Sequence, residues 1–361
     1  MVSFWRKITK PILCLAPMAG ITDWGFRYLL ERSGAEVVYS EMAHVTALKY
    51  DSKKTWELLA FSNQKAAYVV QLFGRDPDHF GLAASRVNRG VTFVDLEPYL
   101  KKDQPFIKNQ IKSTDYQTKK PDGIDINFGC PAKKVFGHGS GAALMKNWRK
   151  SREIIKNVVG NTDLAVSIKV RAGAEIKDNR QQETFYDILE FLDRIKINEL
   201  GVSSIMIHGR TLKQGFKGEI DYRKIRRLKK YFNAIVIANG NIKDLSGAKS
   251  TLKKTKADGI AIATGVYGNP QIFEKMQSLK IKKEPFKLSL DKLETVKLHA
   301  KLNYLTKQKR GIIEMRKHLL WYFKGLPDIK ILYPEMVSVE SPLDIQILLE
   351  KIKKKYFKNN L

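Results

Sequence analysis

AVSIKV at 165–170, TFYDILEFLDRIKIN at 184–198 and SIMIHGR at 204–210 read in order as strand, helix and strand. The outer runs are short, apolar and β-branched, while the middle run repeats apolar residues at helical spacing. That order is a parallel βα unit. The same alternation extends both ways, with strands expected at 12–16, 37–41, 68–73 and 124–128 upstream and at 235–238 and 260–263 downstream. Helices are expected between most of them, at 24–33, 151–159, 220–231 and 245–251. Eight strands alternating with helices predict a closed (β/α)8 TIM barrel of the α/β class. A doubly wound sheet is the weaker alternative, because Ala19-Gly20 after the first strand does not continue into GxGxxG.

Barrel chemistry gathers at the C-terminal strand ends. Here those ends are polar in series: Pro17-Met18-Ala19-Gly20, Glu41, Gln71, Asn127 with Cys130, Lys169 with Arg171, His208 with Arg210, and Asn239-Gly240-Asn241. Lys169 and Arg171 are two apart, as are His208 and Arg210, so each pair faces one side of its strand. Any one of these positions alone reads equally as a solvated loop residue or a satisfied core polar group.

The 361 residues carry 43% apolar and 10% aromatic side chains, which describes a folded chain able to bury a large core. Cys14 and Cys130 are the only cysteines, without zinc spacing, so neither a disulfide framework nor a metal site is expected and a cytoplasmic setting fits. No signal peptide and no membrane-spanning run is read, the apolar stretch at 12–16 being too short for either. The net charge of +28 points to a polyanion such as nucleic acid. A Lys-rich proteome is the competing explanation.

Fifty residues separate the third and fourth strands, where one helix and its loops need about 25 to 30. An insertion is therefore expected over about 90–121, with the basic stretch 101–121 as an exposed, disordered excursion rather than an RNA-contacting element. Past the eighth strand the pattern becomes helical only, after a charged linker at 280–287. The chain accordingly divides into a barrel, 1–278, and a helical domain, 279–361, in which 281–361 holds eighteen Lys or Arg against nine Asp or Glu. Leu290, Leu293, Val296, Ala300 and Tyr304, then Ile312, Leu319 and Phe323, fall at helical spacing. Lys317, Trp321 and Lys324 set an aromatic between two cations on one helix face, suited to a nucleic-acid backbone and base or to packing against the barrel.

LAPMAGITD at 15–23, SEM at 40–42, VQL at 70–72, DINFGCPA at 125–132, GAAL at 141–144, IKVR at 168–171, IHGRT at 207–211, VIANGNI at 236–242 and GNP at 268–270 occur in this order. Together with RKH at 316–318 and WY at 321–322, they make the chain resemble the tRNA-dihydrouridine synthases of bacterial type. The resemblance implies a flavoprotein with FMN in a TIM barrel, a helical tRNA-binding domain and NADPH as reductant. By it, Pro17, Met18, Ala19, Gln71, Lys169 and His208 would surround the flavin ring, and Asn239, Gly240, Asn241, Ala263 and Thr264 its phosphate. Cys130 would protonate the uracil. Asn127, Arg171 and Arg210 would grip the base or a phosphate, and Lys317, Trp321 and Lys324 would meet tRNA. The chain departs from many bacterial members at Ala263-Thr264, where they carry Gly-Arg, so one phosphate cation is lost. A monomer is expected. A related flavoenzyme acting on a free pyrimidine and a non-catalytic RNA-binding protein are the alternatives.

Overall fold

The computed structural model describes residues 3–62, 65–100, 110–177, 183–280 and 291–357. Eight parallel strands close into a barrel: β1 Ile12–Leu15, β2 Val37–Tyr39, β3 Ala67–Phe73, β4 Gly123–Asn127, β5 Ala165–Lys177, β6 Ser204–Thr211, β7 Ile235–Asn239 and β8 Gly259–Ile262. Closure is direct, since β1 pairs with both β2 and β8 while β6 pairs with both β5 and β7.

Strand parity decides what faces inward. Cys14, Val37, Tyr39, Val69, Met206, Ile237 and Ala261 fill the barrel interior, which Trp5 joins from the N-terminal turn Phe4–Lys7. Their alternates, such as Leu13, Val38, Val70, Ile168, Ile207 and Ile260, face the outer helices.

Around the barrel lie α1 Trp24–Arg32, α2 Pro77–Arg89, α3 Trp148–Gly160, α4 Ile188–Arg194, α5 Tyr222–Tyr231 and α6 Leu245–Thr255. Local chemistry starts several of them: Asp23, Asp76, Asp221 and Asp244 each accept a backbone N–H of the first turn. The helix expected over 184–198 is shorter than its periodicity suggests. β5 runs past the barrel to Lys177, and Glu183–Asp187 pairs back on it antiparallel, as the aromatic and β-branched Thr184, Phe185 and Tyr186 favour. The described part of the expected excursion after β3 is ordered, against the expectation of disorder. Residues 101–109 lie outside the described residues, but Gln117–Lys119 forms an antiparallel pair with Val91–Phe93.

After the short helix α7 Ile272–Met276, the linker expected over 280–287 falls almost wholly in 281–290, which with Leu290 lies outside the described residues. Then follow α8 Lys292–Tyr322, α9 Tyr333–Ser338 and α10 Pro342–Tyr356. α8 breaks at Gln308 (φ 53°, ψ −139°), between the two periodic runs. Val296, Ile312, Met315, Leu319, Phe323 and Ile345 form a core separate from the barrel's. Where α8 meets α1, Phe26 stacks on His299 with ring centroids 4.7 Å apart, and Lys307 bridges Asp23 at 3.0 Å and Glu314. No helix among the described residues is long and apolar enough to cross a membrane.

Candidate active site

At the C-terminal ends of the strands opens a cleft of about 790 Å³, within the usual range for a ligand site. Fifteen residues singled out in the sequence line it: Pro17, Met18, Ala19, Gln71, Asn127, Cys130, Lys169, Arg171, His208, Arg210, Asn239, Gly240, Asn241, Ala263 and Thr264. Parity explains the gathering, because β3, β4, β5, β6 and β7 all turn their last inward positions to the mouth. Lys317, Trp321 and Lys324 do not line it. Lys317 donates to the Gly20 carbonyl, Trp321 stacks on Tyr267 with centroids 3.9 Å apart, and Lys324 is exposed. The packed reading of this helix face therefore describes Trp321, while Lys317 bonds the barrel where a solvated lysine was expected.

The floor of the cleft is a polar network inside the barrel. Asp125 accepts from Gln71 Nε2 at 2.8 Å and from Ser167 Oγ at 2.7 Å, and Gln71 Oε1 accepts from Asn127 Nδ2 at 3.1 Å. Burial pushes the Asp125 carboxyl up to about 6 although these bonds and Lys169 oppose it. Burial, with Arg171 beside it, draws the Lys169 ammonium down to about 8 against the pull of Asp125 and Cys130. Burial and the neighbouring Lys169, Arg171 and Arg210 likewise drive His208 far below its ordinary value, so its imidazole is neutral. Among the described residues, neither the Lys169 ammonium nor the His208 imidazole has a hydrogen-bond or ion-pair partner.

Cys130 sits half-buried on the loop after β4, and that loop is pinned. Asn127 Oδ1 accepts the Gly129 N–H at 3.0 Å and the Cys130 N–H at 2.9 Å, fixing the turn that aims the thiol. Arg171 is nearly buried, and it donates from Nε to the Gly129 carbonyl at 2.9 Å and from Nη1 to those of Thr211 and Gly215 at 3.0 Å each. Arg210 Nε donates to the Gly218 carbonyl at 2.8 Å. Both arginines thus frame loops as well as lining the cleft. Phe216 and Tyr267 also line it, and the sequence reading missed both. The signal for Phe216 was present, as an aromatic set between Gly215 and Gly218 just beyond the polar end of β6.

The family model for dihydrouridine synthase matches residues 14–97 and 112–357. The chain belongs to the dihydrouridine synthase family. It is 32% identical over 346 residues to the tRNA-dihydrouridine synthase B of Pasteurella multocida, covering 94% of this chain and 92% of that protein. It is 34% identical over 321 residues to a probable tRNA-dihydrouridine synthase of Rickettsia conorii, covering 88% of this chain and 85% of that protein. Membership makes the chain an oxidoreductase, and the donor set of the cleft is consistent with one. A desolvated ammonium beside a neutral imidazole suits an electron-rich conjugated ring that becomes anionic on reduction. Beside that imidazole, Gly240 (φ +126°) packs too closely for any side chain, since a Cβ would come 2.5 Å from Ile220 Cδ1 and 2.9 Å from His208 Cδ2. The residues present therefore fit a flavin. Among the described residues, no group of three or more His, Cys, Asp or Glu is arranged to hold a metal ion.

Proposed function

We propose that the chain reduces the C5–C6 double bond of a uridine in tRNA to 5,6-dihydrouridine, with FMN in the barrel mouth and NADPH as reductant. The observation that carries this reading is the sharing of one cleft by a pinned, half-buried thiol and a desolvated ammonium without a partner. When bound, FMN supplies the hydride that saturates C6. Lys169 would hold the side of the ring where negative charge collects, and Gln71 and His208 would complete its polar edge. Pro17, Met18 and Ala19 would line the ring. The loop Asn239-Gly240-Asn241 with Ala263 and Thr264 would take the phosphate.

Cys130 holds a proton on Sγ and gives it to C5 of the uracil. A thiol S–H beside the reacting carbon is a proton donor of the kind that general acid catalysis uses. Asn127 and Arg171 keep Sγ in register by fixing the backbone on either side of Gly129. Arg210, which also lines the cleft, would meet the uracil edge or a phosphate. A base must leave its stack to enter a cleft at the end of a barrel, so the substrate nucleotide is flipped out.

The test is Cys130→Ala in anaerobic stopped-flow, normalised to bound FMN. Flavin binding and its reduction by NADPH stay near wild type, while reoxidation by tRNA slows by ~10² to 10⁴-fold. An effect below tenfold removes Cys130 from the mechanism, and failure to bind FMN at all removes the enzyme reading.

A further inference from the structure

We infer that Phe216 is a stacking site for a second nucleobase of the RNA, the one that flanks the uridine entering the cleft. The inference rests on the proposed function and adds a binding residue to the same site.

Phe216 is 72% exposed although it lines the cleft at the barrel mouth. Its exposure is not the slack of a loose loop. The segment from 211 to 221 is tied down at almost every turn: Leu212 N to the Gly173 carbonyl at 3.0 Å, Gly215 N to that of Leu212 at 3.1 Å, Lys217 N to that of Gln214 at 2.8 Å and Asp221 N to that of Gly209 at 2.7 Å. Thr211 N adds a bond to Gln214 Oε1 at 2.8 Å, and Arg171 and Arg210 hold the carbonyls of Gly215 and Gly218 from below. A loop this constrained presents its phenylalanine in a set place.

That place is measured from the catalytic loop. One guanidinium, that of Arg171, bonds the carbonyl of Gly129, the residue before Cys130, and the carbonyl of Gly215, the residue before Phe216. The two loops that carry the thiol and the ring are therefore tied to a single planar group. The same guanidinium carbon lies 5.9 Å from the Phe216 ring centroid, which gives the ring a cation on its protein side. The other aromatic of the cleft, Tyr267, already stacks on Trp321.

A flat apolar face at the rim of a cationic cleft, on a chain of net charge +28, matches the chemistry of a nucleobase. Bases stack on aromatic side chains without needing a particular sequence, and phosphates supply the charge that such a surface attracts. Once the target base has left its stack, its neighbour has lost a partner, and a ring at the rim replaces it.

The test uses the full chain and a fluorescein-labelled oligouridylate, with inorganic polyphosphate as a polyanion that cannot stack. Phe216→Ala weakens the oligonucleotide by roughly tenfold, the scale of one lost base–aromatic contact, and leaves polyphosphate binding unchanged. Phe216→Trp keeps the affinity, and its added fluorescence is quenched on binding relative to wild type. The inference is overturned by an alanine variant with wild-type oligonucleotide affinity, by equal losses for both polyanions, or by an unquenched tryptophan. It is overturned as well if the alanine variant raises only the KM for NADPH in flavin reduction. Because binding needs no turnover, a chain that stacks the oligonucleotide through Phe216 yet reduces no uridine would sink the enzyme reading alone.

Discussion

Lys169 lies on β5 between Ser167, which bonds Asp125, and Arg171, which frames the loops, and it alone of the three has no bonded partner among the described residues. Burial and Arg171 bring its pKa to about 8, so it is charged at neutral pH and loses its proton just above. The sign follows directly. A cation that favours the electron-rich side of a flavin is present below pH ~8 and absent above it, so FMN affinity falls as pH rises from ~7 to ~9. The drop should be on the order of tenfold, as for a lost hydrogen bond to a charged group. Lys169→Met should bind FMN weakly at every pH and show no such step, which a fluorescence titration across this range reads directly. A wild-type profile that is flat over the same window would detach Lys169 from the ring.

At the scale of elements, the contact between α1 and α8 holds the helical region against the barrel. Burial pushes the Asp23 carboxyl up, but Lys307, His299 and the Phe26 N–H outweigh it and hold the group at about 2. A carboxyl with a folded pKa of about 2 and an unfolded value near ~3.9 contributes stability above pH ~4 that is lost as pH falls toward ~2. Removing Lys307 leaves that carboxylate buried without its cation, and Lys307→Ala should lower stability by about 3 kcal/mol at neutral pH. It should also remove the acid loss between pH ~4 and ~2, because the unpaired Asp23 is then already protonated. Urea unfolding of both proteins at pH 7 and pH 3 checks the two effects, and an unchanged midpoint at pH 7 would show that the pair adds nothing. Lys317 belongs to this docking too, through the carbonyl of Gly20 beside the loop that lines the cleft.

Over the whole molecule the charge of +28 dominates. Log affinity for tRNA should fall linearly with log salt. Since Lys317 bonds the barrel while Lys324 is exposed, Lys324→Ala should flatten that slope by ~1 if it meets a phosphate. Binding isotherms at several salt concentrations give the slope, and an unchanged value places the RNA on another face. The stack of Trp321 on Tyr267, whose hydroxyl reaches Met18 Sδ at 3.5 Å, links the helical region to the wall of the cleft.

The sequence by itself determined the eight strands, the shared side of paired residues such as Lys169 with Arg171, and most of the cleft. Strand periodicity is local, and a residue such as Lys169 or His208 keeps its parity wherever the barrel closes. The helix caps are as local, each being a side chain within three residues of its partner, although the sequence reading did not single them out. Only the tertiary structure decided what those side chains touch. Arg171 reads as a substrate cation until β6 brings the carbonyls of Thr211 and Gly215 to it from 40 and 44 residues away. Asp125 reads as one letter of a motif until closure buries it against Gln71 and Ser167. Trp321 finds Tyr267, and Lys307 finds Asp23 from 284 residues away, only once the two regions dock. Desolvation acts through the same assembly, because the pKa of Lys169 depends on which walls surround it, and those walls come from every part of the chain.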